Sequence, residues 1–203
     1  DKLLDRLEPP SGQMADLQAI SRNQLESLPA PDCSQEDWRF CDLAPIAEIE
    51  PRQIFSLIKP AAPVVSNQVT RVVIGADQDP LAGVVLPEGL TLLNETELKQ
   101  SLGNNSNLAT SKGHWPLELN QAIAPRVIGL RVRGKVEETL ELVCDAGNNR
   151  GVIAVHVLLI LEEKSKLELL QVQLSAGANL TIAVVEVQLQ KGAQLQHGLL
   201  ALG

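Results

Sequence analysis

Proline is confined to the first part of this 203-residue sequence. All 12 prolines lie between Pro9 and Pro125, and none occurs from Arg126 to Gly203. Because proline has no N–H to donate to a β ladder, a long proline-free region is what a many-stranded sheet requires. The C-terminal region therefore predicts a large β structure, and the proline-rich region predicts shorter elements joined by loops.

The proline-free region contains regularly spaced strand-like segments whose apolar residues often alternate with Gln, Glu or Thr. These segments are Arg126–Val132, Leu140–Val143, Val152–Leu161, Leu167–Leu174, Leu180–Val187 and Leu195–Leu200. Similar short phrases begin several of them, and Leu167, Leu180 and Leu195 are 13 and 15 residues apart. Repeated strands with small residues at the corners are typical of a solenoid. An antiparallel sandwich stays open as an alternative.

The region before Pro116 mixes helical and strand patterns. Apolar residues at helical spacing predict one helix from Met14 to Leu25 and another from Pro51 to Ile58. Further along, strands are predicted at Val69–Ile74 and Gly83–Leu86, a helix at Thr91–Leu102, and an Asn- and Ser-rich loop at Gly103–Gly113. The sequence thus predicts a helical region (1–62), a mixed α/β segment (63–115) and a β region (116–203).

The expected fold class is mainly β. We expect the first part of a right-handed parallel β-helix, preceded by a small helical N-terminal region and the mixed α/β segment. Aromatic residues make up only 2% of the chain, so burial must come from Leu, Val, Ile and Ala, which favours regular stacked layers. The β-helix is expected to stop within the stack at Gly203, so strands near Leu195–Leu200 should pair with a second chain or fray.

Charge and cysteine content exclude several classes of partner and compartment. The net charge is −8 and no run of Lys or Arg interrupts it, so nucleic acid is not an expected partner. No stretch of about 18 apolar residues occurs, hence no membrane span is expected. The three cysteines are odd in number and form no CxxC pair, which predicts free thiols in a reducing compartment. Cytoplasm or plastid stroma fits these features.

Sequence motifs for catalysis are absent. There is no GxxxxGK[ST] phosphate loop, GxSxG elbow, HExxH or paired CxxC spacing. The acidic pairs Glu137-Glu138 and Glu162-Glu163 flank strand ends, where solvated turns explain them better than acid–base chemistry. We therefore assign no catalytic or cofactor-binding residue and do not expect an enzyme.

Three residues are the remaining candidates for metal ligands: Cys144, His156 and His197. Thiolate and imidazole are common ligands, and stacked strands can align side chains that are distant in sequence. His156 lies within an apolar strand, His197 follows a corner, and Cys144 ends a strand. A purely structural role explains each of them more simply, so no metal site is assigned.

Two parts of the chain resemble the SufB/SufD family of iron–sulfur cluster assembly proteins. Glu36-Asp37-Trp38-Arg39-Phe40-Cys41-Asp42-Leu43 is similar to the W-[RK]-[FY]-T-D-L segment of SufD-type members, with Cys41 in place of Thr. The stretch from Leu119-Asn120-Gln121-Ala122 onward resembles the β-helical core of the family. Within it, Lys166–Leu170 and Gly192–His197 fall where the family has its repeated phrases. Together these matches cover about half of the residues.

The resemblance implies a scaffold subunit without turnover of its own. Such a subunit pairs with SufB and with the SufC ATPase, aids iron entry, and meets the iron–sulfur cluster only transiently at the level of the complex. Family members are roughly twice as long as this chain. The segments implicated in cluster assembly lie in their C-terminal half and have no matching positions here.

Two other readings come from different classes. A β-helical carbohydrate-active enzyme such as a polysaccharide lyase needs clustered charged residues along one groove, and few charges occur after Lys164. A stand-alone oligomeric structural protein is the other alternative, with a homodimer formed through the exposed end of the β-helix.

Overall fold

A computed structural model of the chain describes residues 15–47, 68–74, 79–103, 114–148 and 150–202. The predicted helix at 51–58 and the Asn- and Ser-rich loop at 104–113 lie outside these residues. The helices are α1 (Ala15–Ser27), a short 3-10 helix (Glu36–Trp38), α2 (Ala44–Ala47), α3 (Glu95–Ser101) and α4 (Trp115–Ile123). The strands are β1 (Val69–Ile74), β2 (Leu90–Leu92), β3 (Val127–Val132), β4 (Thr139–Asp145), β5 (Gly151–Leu161), β6 (Lys166–Leu174), β7 (Asn179–Leu189) and β8 (Gln194–Leu202).

The strands form two four-stranded sheets. Sheet A has the order β2-β3-β5-β7 and sheet B the order β1-β4-β6-β8. From β3 to β8 the chain enters the two sheets alternately, and all pairings are parallel except that of β2 with β3. The fold is therefore mainly β, as predicted. The antiparallel sandwich is wrong for the described strands, because their pairing is predominantly parallel.

The parallel pairs have a nearly constant register. Val127 pairs with His156 and Leu140 with Leu169, each 29 positions later. Val152 pairs with Leu180 and Leu167 with Leu195, each 28 positions later. Two strands and two corners thus make up one repeat of the chain. This explains the imperfect spacing of 13 and 15 in the sequence, which separates successive strands in different sheets.

One buried cluster joins the two sheets. Leu130, Val157 and Leu159 of sheet A share it with Leu140 and Leu169 of sheet B. Because successive strand residues point to opposite faces, the intervening His156, Leu158 and Ile160 lie on the outer face of β5. The core between the sheets is built from aliphatic side chains, as the scarcity of aromatic residues predicts.

Helices cover the outer face of sheet A. Leu119 and Ile123 of α4 pack with Leu25 of α1 over Val152 and Ile182. Leu98 of α3 packs in a second cluster with Leu158 and Ile160. Strand β5 is thus buried on both faces, which explains why Val152–Leu161 is a nearly continuous apolar run instead of an alternating one.

Helix α4 differs from the prediction that the chain is almost wholly β after Pro116. Pro116 lies in the first turn of the helix, where its missing N–H costs no hydrogen bond. Residues 118–123 are all buried, including Glu118, Asn120 and Gln121. A short helix that is buried on most sides has no exposed polar face, so its sequence lacks the periodicity by which an amphipathic helix is recognised.

Two predictions in the mixed segment are also wrong. Gly83–Leu86 forms a turn and irregular chain, with Gly83 at a φ of 75°. The predicted helix Thr91–Leu102 divides into β2 and α3 at Asn94. The Asn94 side chain accepts from the N–H of Glu97 at 3.0 Å, and the Glu97 carboxylate accepts from the N–H of Asn94 at 2.9 Å. This reciprocal capping box starts the helix after Asn94 instead of at Thr91.

Lys164 occupies a corner at which the neighbouring repeats use glycine. Its φ is 59°, and Gly134 and Gly192 have φ values of 66° and 72° in the preceding and following corners. We expect Lys164→Gly to raise the free energy of unfolding by about 0.5–1 kcal/mol, because the left-handed conformation is strained for a residue with a Cβ. Urea unfolding measures the change. Lys164→Ala is the control, since it keeps the strain, and equal stability of the two variants would contradict the prediction.

Candidate interaction surface

Strands β7 and β8 form one end of the stack. Each is the last strand of its sheet and pairs with a single neighbour, β5 or β6, within the described part of the chain. An edge strand presents a row of backbone N–H and C=O groups that a further strand can bind. At the other end, β2 lies antiparallel on β3 and closes sheet A. We call the outer edges of β7 and β8, with their exposed leucines, the open end.

The burial of equivalent positions falls steeply toward the open end. Leu142, Gln171 and Leu199 occupy the same position in successive strands of sheet B. Leu142 is 2% exposed and Gln171 8%, whereas Leu199 is 62% exposed. On the opposite face of the sheet, Val143 is fully buried and its equivalent Leu200 is exposed. Both faces of the last strand are therefore uncovered.

The open end is apolar and uncharged. Its exposed leucines are Leu189, Leu199, Leu200 and Leu202. Strand β8 contains no Asp, Glu, Lys or Arg, and the one charged residue of β7, Glu186, is buried. Natural proteins usually protect a strand edge with charged side chains, so a neutral apolar edge is typical of a surface that another strand covers.

The three metal-ligand candidates lie in different environments. Cys144 points into the core between the sheets, His156 lies on the buried outer face of sheet A, and His197 is exposed on β8. Burial, followed by the nearby Asp145 carboxylate, raises the pKa of the Cys144 thiol to about 12. The thiol form therefore dominates, and thiols are poor ligands and nucleophiles. Among the described residues, no three His, Cys, Asp or Glu side chains are grouped to hold a metal ion.

His156 instead belongs to a buried hydrogen-bonded unit. Its Nε2 atom lies 2.9 Å from Oε1 of Glu186, and both side chains are almost fully buried. The Glu186 carboxylate also accepts from the backbone N–H of Gly103, at 3.2 and 3.1 Å to its two oxygens. Close by, the Gln188 side chain donates to the carbonyl of Ser101 at 3.1 Å. The unit thus ties the C-terminal end of α3 to β7.

Glu186 was not singled out from the sequence as a partner of His156. The two residues are 30 positions apart, so they seem unrelated when the chain is read in order. Once the repeat of 28 residues between β5 and β7 is known, Glu186 falls beside Leu158, two residues beyond His156 on the same face. Aligning the sequence at that repeat would have brought the two polar residues together within an apolar surface.

The acidic pairs lie at corners of the stack and have polar partners. Glu162 accepts from Arg133 at 3.0 Å and from Arg131 at 3.1 Å. The hydrogen bond from Arg133, and then that from Arg131, lowers the pKa of the Glu162 carboxyl in spite of a small opposing effect of burial. Glu137 pairs with Lys135, and Glu138 accepts from the Thr70 hydroxyl. These contacts fasten the corners to the strands beside them.

A groove of about 570 Å³ opens near these corners. Its lining carries charges of both signs, from Glu88, Arg133, Lys135, Glu137 and Glu138. The groove is the one described feature that brings several carboxylates and basic groups to one concave surface outside the open end.

In the part of the chain that the structure describes, no helix combines the length and the apolar character needed to span a membrane. A scan against protein-family models finds no match, and a search of curated proteins finds none either.

Proposed function

We propose that the protein is a scaffold subunit of iron–sulfur cluster assembly, of the SufD type, and that it works through its open end. The open end is the observation that carries the proposal, because it offers two strand edges and four exposed leucines to a partner. A protein whose principal surface is a strand edge is suited to assembly, and strand addition supplies both hydrogen bonds and apolar contacts.

The finer fold belongs to the same proposal. We infer that sheets A and B are part of a right-handed parallel β-helix, in which each repeat of 28 or 29 residues is one turn. The alternation of strands between two sheets, the parallel pairing and the constant register support it. The resemblance of the region from Leu119 onward to the β-helical core of the SufB/SufD family supports it independently.

The SufD-like segment packs beside the start of α4. Trp38 contacts Trp115 edge-to-face, with ring centroids 6.5 Å apart and an interplanar angle of 88°. This geometry is favourable for an aromatic pair. The two regions that carry the resemblance, Glu36–Leu43 and the stretch beginning near Leu119, are therefore neighbours in space, which is the arrangement expected if both are parts of one family fold.

In this proposal the chain supplies a surface and its partners supply the chemistry. SufC hydrolyses ATP, SufB occupies the open end, and the iron–sulfur cluster is cargo of the complex and not a resident cofactor of this chain. Neither nucleic acid nor a membrane takes part, and the acidic net charge of −8 fits that expectation. Cytoplasm or plastid stroma is the proposed location.

The test is co-expression of the full chain with SufB and SufC, affinity purification and light scattering. We expect one species whose mass equals the sum of the three subunits, and we expect Leu200→Lys to weaken it because a charge then faces the incoming strand. Leu92→Lys is the matched control, since Leu92 is also an exposed strand leucine but lies on β2 at the other end. Its complex should form as in the wild type.

Three outcomes would overturn the proposal. A mass equal to that of the chain alone in the presence of both partners would remove the scaffold role. A mass of two copies that excludes SufB would support the stand-alone oligomer in its place. A complex weakened equally by Leu92→Lys and Leu200→Lys would show that the open end is not the interface.

The groove near Glu137 and Glu138 favours one second candidate, the carbohydrate-active enzyme. Clustered carboxylates and basic side chains on one concave surface are what such an enzyme needs. Release of reducing ends or unsaturated sugars from a panel of acidic and neutral polysaccharides tests this candidate. Product formation that is lost in Glu138→Gln would establish it, and no product from the whole panel would exclude it.

A further inference from the structure

The segment between Asp32 and Asp42 folds back on itself by local hydrogen bonds. The N–H of Gln35 donates to the carbonyl of Asp32 at 2.9 Å, and the N–H of Trp38 donates to that of Gln35 at 3.1 Å. The N–H of Cys41 then donates to the carbonyl of Trp38 at 3.0 Å. These successive turns bring the two ends of the segment together.

The closure brings Cys33 to Cys41. The Cys33 thiol donates to the backbone carbonyl of Cys41, with Sγ and O 3.5 Å apart. Both side chains are exposed, whereas the third cysteine, Cys144, is buried. The sequence shows only two cysteines eight positions apart in a loop, with no local partner. The structure places the sulfur of one against the main chain of the other.

We propose that Cys33 and Cys41 are a dithiol pair that forms a reversible intramolecular disulfide by exchange with a small disulfide such as oxidised glutathione. A disulfide requires the two Cα atoms to lie within about 7 Å. Since the Cys33 sulfur already contacts the Cys41 main chain, bond formation needs rotation of the side chains and a small adjustment of an exposed segment. The proposal does not depend on the proposed scaffold function.

The exchange is balanced. One cysteine thiolate attacks a sulfur of oxidised glutathione, an S–S bond to the protein forms, and one glutathione leaves as its thiolate. The second cysteine thiolate attacks the protein sulfur of this mixed disulfide and releases the second glutathione. Two protein thiols are oxidised, one glutathione disulfide is reduced to two glutathione molecules, and the protons of the protein thiols pass to the two leaving thiolates.

The bond would act on the contact between this segment and α4. Trp38 lies between the two cysteines in sequence and packs against Trp115. Phe40, next to Cys41, is 89% exposed and lies 5.2 Å below the Arg39 guanidinium. A disulfide between Cys33 and Cys41 closes a loop around Trp38, so oxidation should change the surroundings of both tryptophans. Tryptophan fluorescence therefore reports the reaction separately from mass.

The test equilibrates the reduced full chain in glutathione buffers of graded oxidised-to-reduced ratio and then quenches it by alkylation. Intact mass and peptide mapping should show the loss of two hydrogens, one peptide link between Cys33 and Cys41, and alkylation of Cys144 alone after denaturation. The fluorescence change should follow the same midpoint ratio. Cys33→Ser and Cys41→Ser should each accumulate a single glutathione adduct, and Cys144→Ala should behave as the wild type.

Other results would overturn the proposal. Two glutathione adducts on one chain without an internal link would show that the cysteines react independently. A midpoint that shifts on tenfold dilution of the protein, with disulfide-linked dimers, would show that the bond is intermolecular. A link that includes Cys144 would show that the exposed pair is not the reacting pair.

Discussion

Glu186→Ala should lower the free energy of unfolding by about 3–5 kcal/mol, the range for removing one partner of a buried pair. Glu186 is 5% exposed, and its carboxylate holds both Nε2 of His156 and the N–H of Gly103. Its loss leaves two buried polar groups without a partner and releases the end of α3 from β7. Denaturant unfolding followed by circular dichroism measures the change.

Glu163→Ala is the control for this variant. Glu163 forms an ion pair at 3.6 Å with Lys164, and both side chains are more than half exposed. A surface pair of this kind contributes about 0–1 kcal/mol. Glu186→Gln should lie between the two, since its amide oxygen can still accept from Gly103. A loss at Glu186 no larger than that at Glu163 would contradict the buried pair.

Leu159→Ala should lower the free energy of unfolding by about 2–5 kcal/mol, because it leaves a cavity in a close-packed core. Leu159 has no exposed surface, lies in β5 between β3 and β7, and is in register with Leu130 and Val187. The neighbouring strands are held by hydrogen bonds on both sides, so they cannot collapse fully into the space. Thermal and denaturant unfolding both measure the loss.

Leu199→Ala is the matched control, with the same side chain on the core-facing side of the last strand. Leu199 is 62% exposed, so its truncation should change the free energy of unfolding by no more than about 0.5 kcal/mol. Losses of equal size at Leu159 and Leu199 would contradict the described burial. They would mean that the open end is covered in solution, and light scattering would identify a second copy as the cover.

The sequence predicts the strands well where one feature dominates. Val69–Ile74 is a strand with the predicted bounds, and Val152–Leu161 and Leu167–Leu174 each differ by one residue at the N-terminal end. These segments are rich in Val, Ile and Leu and lie between turn residues, so local preference and tertiary burial agree. The mainly β class follows from the same agreement along the proline-free region.

Predictions fail where contacts from distant parts of the chain decide the structure. Helix α4 has no polar face because it lies under α1, where Gln18 donates to the carbonyl of Ala124 at 2.7 Å and Ser21 to the side chain of Gln121 at 3.0 Å. Buried polar residues held in this way conceal the helical pattern. The division of Thr91–Leu102 has a local signal, since Asn94 and Glu97 form a capping box, but strand β2 exists only because β3 lies beside it.

The candidate sites were only partly accessible from the sequence. His156 and Cys144 are buried residues, as their apolar surroundings suggest. The pairing of His156 with Glu186 depends on the register between β5 and β7, and the approach of Cys33 to Cys41 depends on three successive turns. Neither arrangement follows from residue type or local spacing, because each is fixed by the path of the main chain.

The order of strands in sheets A and B has a consequence for synthesis on the ribosome. Every strand pairs with one that precedes it in the chain: β4 with β1, β5 with β3, β6 with β4, β7 with β5, and β8 with β6. At about 5–20 residues per second, a repeat of 28 residues takes roughly 1–6 seconds to emerge, far longer than strand pairing requires. Each nascent strand therefore meets a finished template, and the growing chain need not hold an unpaired strand in waiting for a later partner.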